Sequence, residues 1–266
     1  MVLTGAGMST ESGIPDFRST QGMWADVDPM EVASMEAFRS DPVRVWQWYG
    51  PRIHRLLAAE PNPGHRALAE LERSGHVQAV VTQNIDTLHT RAGSGEVVEV
   101  HGSIRRFDCL ACGVAVPLDD VLEQLEEREA PVCPVCSAIL KPGVVMFGEL
   151  LPVDPFLRAE RLAQEAGVLV AVGSSLQVWP VAGLPAATLR AGGVLAIVND
   201  EPTGYDDDAA LVVRQRAAEA LAGAARLLTD GAFADGADSA SGGDAARRAG
   251  PDDLGRGRHR MRRRGT

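Results

Sequence analysis

The chain has 266 residues, 45% of them hydrophobic and 23% charged, the profile of a globular protein with one large domain or a domain plus a sizeable insertion. No run approaches the ~18 apolar residues of a membrane span, and no basic region followed by an apolar stretch opens the chain, so neither a membrane protein nor a secreted one is expected and the cytoplasm is the expected location. A net charge of −10 argues against a surface built to neutralise phosphates, disfavours nucleic acid as a partner and leaves basic proteins as candidates.

Met1 to Thr4 reads as the end of a buried strand running into Gly5-Ala6-Gly7. Only four residues precede the turn, against about five or six in a usual strand, so incomplete pairing and a native start upstream of Met1 are expected. Residues 30–74 read as helices: Pro29 sits at a helix start, Val43, Trp46, Tyr49 and Ile53 recur at helical spacing, and His65 to Leu71 continue it until Ser74-Gly75. Pro51 is expected to disturb that pattern unless it lies in a first turn. Val77 to Thr82 and Val97 to Val100 are short apolar runs with strand character.

Residues 107–140 hold all four cysteines and an acidic amphipathic stretch from Leu118 to Glu129. Gly143 to Phe147 is apolar, Pro155 to Ala166 is helical, and Val168 to Val172 is a strand ending in Gly173-Ser174-Ser175. Ala186 to Ala191 leads into Val194 to Val198, which ends at Asn199, and Ala209 to Leu228 adds a short strand and a helix. Repeated strand, polar turn and helix predict a parallel sheet covered on both faces, with ligands bound at strand C-termini. From Asp230 onward large apolar residues are nearly absent, which predicts a disordered tail; its arginine run at 262–264 reads as solvated rather than as a nucleic-acid contact. Lys141 is the sole lysine among 26 basic residues, a bias attributed here to codon composition and given no function.

Cys109 and Cys112 form one CxxC, and Cys133 and Cys136 a second after a twenty-residue gap. Two such turns give the tetrahedral four-sulfur shell that zinc prefers, and a closed shell without an open position is structural rather than catalytic. Two disulfides or a redox pair are the alternatives; the first suits a cytoplasmic chain poorly and the second needs no twin at this spacing.

Gly5-Ala6-Gly7-Met8-Ser9 follows a strand, and glycines there let backbone N–H groups approach a pyrophosphate. The third glycine of the dinucleotide fingerprint is missing from its usual place, since Gly13 lies six residues past Gly7, so a plain tight turn explains the pair almost as well. More weight comes from order. GAGMSTESGIPDFR from Gly5, TQNID at 82–86, His101-Gly102, the paired CxxC, KPGVVMFGE, GSSLQVWP and VNDE follow one another through residues 2 to about 229. This set resembles the sirtuin family, the NAD-dependent protein lysine deacylases.

The resemblance implies an α/β fold: a discontinuous Rossmann-like, NAD-binding domain of residues 1–28, 77–105 and 141–229, with a helical module at 29–76 and a zinc ribbon at 106–140 inserted. NAD would lie in the cleft, and one structural zinc ion would stand outside the chemistry. Gly5, Ala6 and Gly7 would cradle the pyrophosphate; Asp16, Phe17 and Arg18 would form a flexible cofactor loop, Phe17 shielding the reactive ribose carbon. Gln83, Asn84, Ile85 and Asp86 would line the nicotinamide ribose, Gly173, Ser174 and Ser175 would contact the cofactor, Asn199 the adenosine ribose, and the backbone near Gln215 and Arg216 the adenine. Taken singly, Asp16 could instead cap a helix, Asn84 satisfy a turn and Ser174 act as an N-cap.

His101 would be the catalytic base, working beside Asn84. An imidazole titrating near 6.5 can take a proton from a ribose hydroxyl at neutral pH and return it later. In the implied reaction the acyl oxygen attacks the nicotinamide ribose carbon and expels nicotinamide. His101 then activates a ribose hydroxyl, and water releases free lysine and acylated ADP-ribose. Acylated lysine-containing proteins or peptides would bind as an added strand between Val145, Phe147, Gly148 and Glu149 on one side and Gln177 and Val178 on the other. Tyr49 and Arg52 stand as YxxR on one helical face and resemble the carboxylate-holding pair of the desuccinylase and demalonylase branch. Thr10 stands where that branch has Ala, which could narrow the acyl pocket, and an ordinary surface Tyr and Arg remain the alternative. Mono-ADP-ribosyl transfer on the same scaffold and a non-catalytic zinc-containing module binding NAD or ADP-ribose are the rival functions.

Overall fold

The structure is a computed structural model describing residues 1–17, 19 and 22–229. Arg18, the predicted disordered tail from Asp230 and the arginine run at 262–264 lie outside the described residues. A six-stranded parallel sheet has the order β3-β2-β1-β6-β7-β8, where β1 is Val2–Thr4, β2 Val80–Thr82, β3 Val97–Glu99, β6 Val168–Val172, β7 Val194–Val198 and β8 Leu211–Val213. From β1 the chain winds one way to β2 and β3, while β6 opens the other half. The switch point of this doubly wound sheet therefore falls between β1 and β6, where such sheets bind ligands.

The strand β1 pairs along its whole length on both sides: Val2, Leu3 and Thr4 face Val80, Val81 and Thr82, and also Val170, Ala171 and Val172. The expected incomplete pairing is not found: β2 is itself three residues long, and on the β6 side the Met1 amine extends the contact by bonding the Val168 carbonyl. The run from Val77 is shorter as a strand than expected. Val77 spends its N–H on Leu71 in the turn that closes the preceding helix, so extended pairing starts only at Val80.

Four helices precede β2: α1 Pro29–Val32, α2 Met35–Ser40, α3 Pro42–Ala58 and α4 Pro63–Arg73. Asp28, Ser34, Asp41 and Asn62 cap them, each side chain accepting a backbone N–H of the first turn. Contrary to expectation, α3 runs through Pro51 unbroken. Pro51 removes the donor to the Gln47 carbonyl, and the burial of Trp46, Tyr49 and Ile53 on either side of it carries the helix past the lost bond; the Arg52 guanidinium reaches the neighbouring Trp48 carbonyl at 2.6 Å.

The 29–76 helical segment does not pack as one module. Val45, Trp46, Tyr49 and Ile53 of α3 share a core with Phe107, Cys109, Val116, Val121 and Cys133 of the cysteine segment. That segment holds the hairpin β4 Arg106–Asp108 and β5 Ala115–Pro117 and the helix α6 Leu118–Glu127. The buried Trp46 indole joins the two parts by donating 2.7 Å to the Leu140 carbonyl. By contrast, α4 sets Ala67, Leu68 and Leu71 against Ala217, Leu221 and Ala225 of the helix α9 Ala217–Thr229, on one face of the large sheet. The other face carries α7 Val153–Glu165 and α8 Leu184–Arg190, through Ala159, Leu162, Ala163 and Leu184. No helix among the described residues is long and apolar enough to cross a membrane.

Two histidines lie buried beneath the sheet's ligand end, with ring centroids 4.8 Å apart: His65 in α4 and His89 in the short helix α5 Leu88–Ala92. The His65 Nδ1 accepts the Asn62 N–H, and Thr4 Oγ1, which donates to Thr82, accepts from the His89 Nε2. The remaining ring nitrogens, His65 Nε2 and His89 Nδ1, have no partner. Burial pushes His65 down to about 3 and His89 to about 4. Below pH 6.5 the unfolded chain therefore binds protons that the folded chain refuses, so this contribution to stability is complete above 6.5 and is lost as pH falls toward 4 and 3. Urea unfolding is expected to show stability falling between pH 6.5 and 5, above the range of ordinary carboxylates; a flat profile there would contradict the assignment.

Candidate active site and metal centre

At the switch point two glycine turns touch. A Cβ on Gly5 would lie 2.8 Å from the Gly173 carbonyl oxygen and one on Gly7 2.8 Å from the Gly173 Cα. Gly173 itself has φ +58, and a Cβ there would sit 2.4 Å from the Met8 nitrogen. The turn is sealed by Gly7 N–H to Gly173 O at 2.9 Å, Gly5 N–H to Val172 O at 3.0 Å and Gly173 N–H to Val198 O at 2.8 Å. The glycines thus serve backbone approach between strand ends as well as leaving a side-chain-free floor.

Above that floor opens a cavity of about 860 Å³. It is lined by Gly5, Ala6, Gly7, Asp16, Phe17, Gln83, Asn84, Ile85, Asp86 and His101, by Gly173, Ser174 and Ser175, and by Asn199, Gln215 and Arg216. Tyr49, Arg52, Val145, Phe147, Gly148, Glu149, Gln177 and Val178 line the same space, as does Thr10. Exposed apolar side chains, Phe147, Leu150, Val153, Leu157 and Trp179, also contribute to its lining.

Polar groups behind the floor are locked. Asp86, 4% exposed, takes the Ser9 hydroxyl at 2.6 Å and the Leu88 N–H at 2.9 Å; burial raises its pKa against these bonds. The Asn84 amide donates to the Gly5 carbonyl at 2.9 Å and to Ser9 Oγ at 3.2 Å, and its backbone N–H is held by Thr82 Oγ1. Gln83 Nε2 crosses to Ser174 Oγ at 2.9 Å, joining the ends of β2 and β6. Ser174 is therefore a cross-strand tie that also accepts the Leu176 N–H, and Leu176 and Thr87 are held at positive φ in these two loops. Asp16 caps a turn rather than a helix, taking the Ser19 N–H at 2.8 Å.

His101 is half-buried, its Nδ1 3.2 Å from the Gln83 carbonyl. A carbonyl only accepts, so the proton sits on Nδ1 and the Nε2 lone pair is the basic one. Burial holds this imidazole below its ordinary 6.5 despite the Gln83 bond, which pulls the other way. The His101 carbonyl accepts the Val145 N–H at 2.8 Å, tying the base to the 142–149 segment.

The cavity wall includes residues that the sequence reading passed over. Phe17 stacks on Trp24 with centroids 5.2 Å apart, Trp24 on Trp48 at 5.4 Å and 14°, and the Arg52 guanidinium lies 3.9 Å above Trp48. The four-residue step from Trp48 to Arg52 held that signal, whereas nothing local marked Trp24. Tyr49 packs edge-on to Trp48, and burial pushes its phenol well up. Lys141 is a further correction to the reading that gave it no function: it is 5% exposed and bonded to Pro142 O, Val144 O and Glu149 Oε2. The Glu149 carboxylate is accordingly held by Lys141 and the Met146 N–H, although the residue lines the cavity.

The four cysteine sulfurs converge within 4.8 Å of one another, with Cys109–Cys136 at 3.4 Å and Cys112–Cys133 at 3.5 Å. Those separations exceed a disulfide bond and suit four thiolates on one ion of about 2.3 Å Zn–S radius. The two knuckles repeat each other: Gly113 N–H bonds the Cys109 carbonyl and Ser137 N–H the Cys133 carbonyl, both donors at positive φ.

A family profile described as Sir2 family matches residues 5–180. An NAD-dependent protein deacylase of Thermococcus kodakarensis is 43% identical over 86% of this chain and 91% of its own length. An NAD-dependent protein deacetylase of Sulfolobus acidocaldarius is 46% identical over 81% and 84%. Among solved structures, a Sir2 complex with a p53 peptide and NAD+ is similar with a TM-score of 0.78 and 39% identity, covering 87% of this chain and 92% of that one.

Substituting Cys109→Ala is expected to release zinc, measured as metal per chain, and to unfold the β4–β5 lobe, since a four-sulfur site contributes folding energy directly. Stoichiometric zinc with an unchanged melting temperature would overturn the site.

Proposed function

The chain belongs to the Sir2 family, and from that premise we propose that it is an NAD-dependent protein lysine deacylase acting on acylated lysine in peptides or proteins. The observation that carries the reading is His101, with a free Nε2 lone pair, in one cavity with the glycine turns of the switch point. The floor of Gly5, Ala6 and Gly7, with no side chain larger than a methyl, fits a pyrophosphate, and Gly173, Ser174, Ser175, Asn199, Gln215 and Arg216 would hold the rest of the dinucleotide. The chemistry that NAD supplies when bound is an ADP-ribose acceptor for the acyl group, with nicotinamide as the leaving group.

The protein's own part is orientation and proton transfer. Gln83 fixes the tautomer of His101, so that Nε2 takes a proton from a ribose hydroxyl. Asn84, with its amide hydrogens spent on Gly5 and Ser9, has its side-chain oxygen left to accept from the ribose. Asp86 orients Ser9 and the start of α5. Phe17, packed on Trp24, would exclude water from the reacting carbon. An extended acyl peptide would lie between 145–148 and 177–178, with backbone bonds indifferent to sequence. Four zinc-binding thiols kept reduced fit the cytoplasm.

Incubating an acetyl-lysine peptide with NAD should yield nicotinamide, free lysine peptide and acetylated ADP-ribose by mass spectrometry. ADP-ribose attached to protein would instead favour the transferase reading, and binding without turnover the non-catalytic one. His101→Ala should abolish acyl release while ADP-ribose affinity stays within a few-fold, because it removes a base rather than a cofactor contact. As the neutral imidazole is the working form and burial lowers its pKa, the acid limb of kcat/KM should lie below pH 6.5.

Acidic acyl groups are a second reading, favoured by Arg52 and Tyr49 lining the cavity of His101. One guanidinium nitrogen is committed to Trp48, which leaves the rest of the fork for a distal carboxylate. Hydrogen bonds to charged groups are worth about 1.5–3 kcal/mol, so Arg52→Met should cut succinyl-lysine turnover about ten- to a hundredfold relative to acetyl-lysine. An equal fall for both substrates would make Arg52 structural.

A further inference from the structure

We propose that Lys141 is a positioning residue for the peptide side of the site: its buried ammonium is the strut around which residues 142–149 fold into the edge that receives an acyl-lysine peptide. The inference rests on the deacylase reading and concerns how that site is held.

The bonding around 142–149 alternates. On one side Gly143 O accepts from Ser103 N–H at 2.9 Å, Val145 N–H donates to His101 O at 2.8 Å, and Phe147 exchanges bonds with Ala33 and Met35, both at 2.9 Å. On the other side Pro142 O and Val144 O accept from Lys141 Nζ at 2.9 and 2.6 Å, and Met146 N–H goes to Glu149 Oε2 at 3.0 Å. The same Oε2 lies 3.1 Å from the ammonium. Bonds thus run along both sides of the segment, one of the neighbours being a lysine–glutamate pair, while the Val145 carbonyl and the Gly148 N–H take no part in them and stay available to a peptide. All three ammonium hydrogens have acceptors, which a buried charge requires.

One peptide unit carries the link to catalysis. The Val144–Val145 amide gives its carbonyl to Lys141 and its N–H to the backbone of His101. Releasing the ammonium frees that plane, and with it the path of Val145 to Gly148 along the cavity. Close packing pins the base of the loop, so the freedom falls on the residues beyond it: a Cβ on Gly143 would sit 1.6 Å from the Arg106 carbonyl oxygen and one on Gly102 2.3 Å from the Gly143 oxygen, whereas one on Gly148 meets nothing within 4 Å.

The residue type argues the same way. The chain uses arginine at its other 25 basic positions. A compact ammonium directs three hydrogens tetrahedrally at two carbonyls and a carboxylate, whereas the planar guanidinium fork spreads its donors in one plane and matches that set less well.

The test compares the full chain with Lys141→Met, Lys141→Arg and Glu149→Gln. Three quantities are read: Kd for a fluorescein-labelled acetyl-lysine peptide by anisotropy, Kd for ADP-ribose by calorimetry, and zinc per chain. Lys141→Met should weaken peptide binding at least tenfold, with ADP-ribose affinity within threefold and zinc unchanged. Lys141→Arg should restore less than half of the loss on a logarithmic scale. Glu149→Gln, which keeps the ammonium on its two carbonyls, should stay folded and weaken the peptide about three- to tenfold. Peptide affinity within threefold of wild type in a folded Lys141→Met protein overturns the proposal, as does parallel loss of peptide and ADP-ribose. If Lys141→Met fails to fold, unchanged peptide affinity in both other variants overturns it. Wild-type protein that binds no peptide or gives no turnover with NAD overturns the deacylase reading instead.

Discussion

The contact between the Gly5–Gly7 turn and Gly173 is the constraint on which the rest depends. Strands β1 and β6 lie side by side and must both turn away at the same level, so their turns compete for one volume. Three missing Cβ atoms resolve the competition, and the two turns bond to each other instead of clashing. What remains is an open floor of backbone at the place where the sheet's winding reverses. Gln83, Ser174 and Asn84 then brace the floor from β2 and β6, so the cavity inherits the rigidity of the central strands.

The second lobe depends on a different kind of closure. Its hairpin is only three residues a side and cannot stand by itself, and its core is largely borrowed: Trp46 and Ile53 of α3 pack with Phe107 and Val121, and the cysteine cluster pins the far end. The cysteine lobe and the cavity wall therefore share α3. The helix that covers the hairpin on one face brings Tyr49 and Arg52 to the cavity on another.

Much of this was legible in the residues, and the misses share a cause. The strands at 168–172 and 194–198, fully apolar and flanked by turn residues, were readable to the residue, as was the fourfold sulfur site from its spacing. Nearly every candidate site residue lines the one cavity because motif order encodes which strand end each sits on. What failed depended on partners distant in sequence. Val77 has strand character but bonds to the helix before it, and α4 looks continuous with α1–α3 but its buried face meets α9, some 150 residues on. Pro51 looks like a helix breaker until α3 is seen packed on either side of it against the cysteine segment. Trp24, which joins the aromatic stack, and Lys141, whose composition invited a bland explanation, are intelligible only once the loops around them are folded.

The solitary lysine also has a consequence for the protein as a chemical object. Acyl phosphates and thioesters modify proteins at exposed ε-amines, and the surface of this chain offers none, its single ε-amine being enclosed by backbone and carboxylate. Arginine carries the positive charge everywhere else and is inert to such donors. A catalyst that removes acyl groups from lysine is built here from a chain that cannot accumulate them on its own surface lysines, so its own side chains never compete for its active site as acyl-lysine substrates.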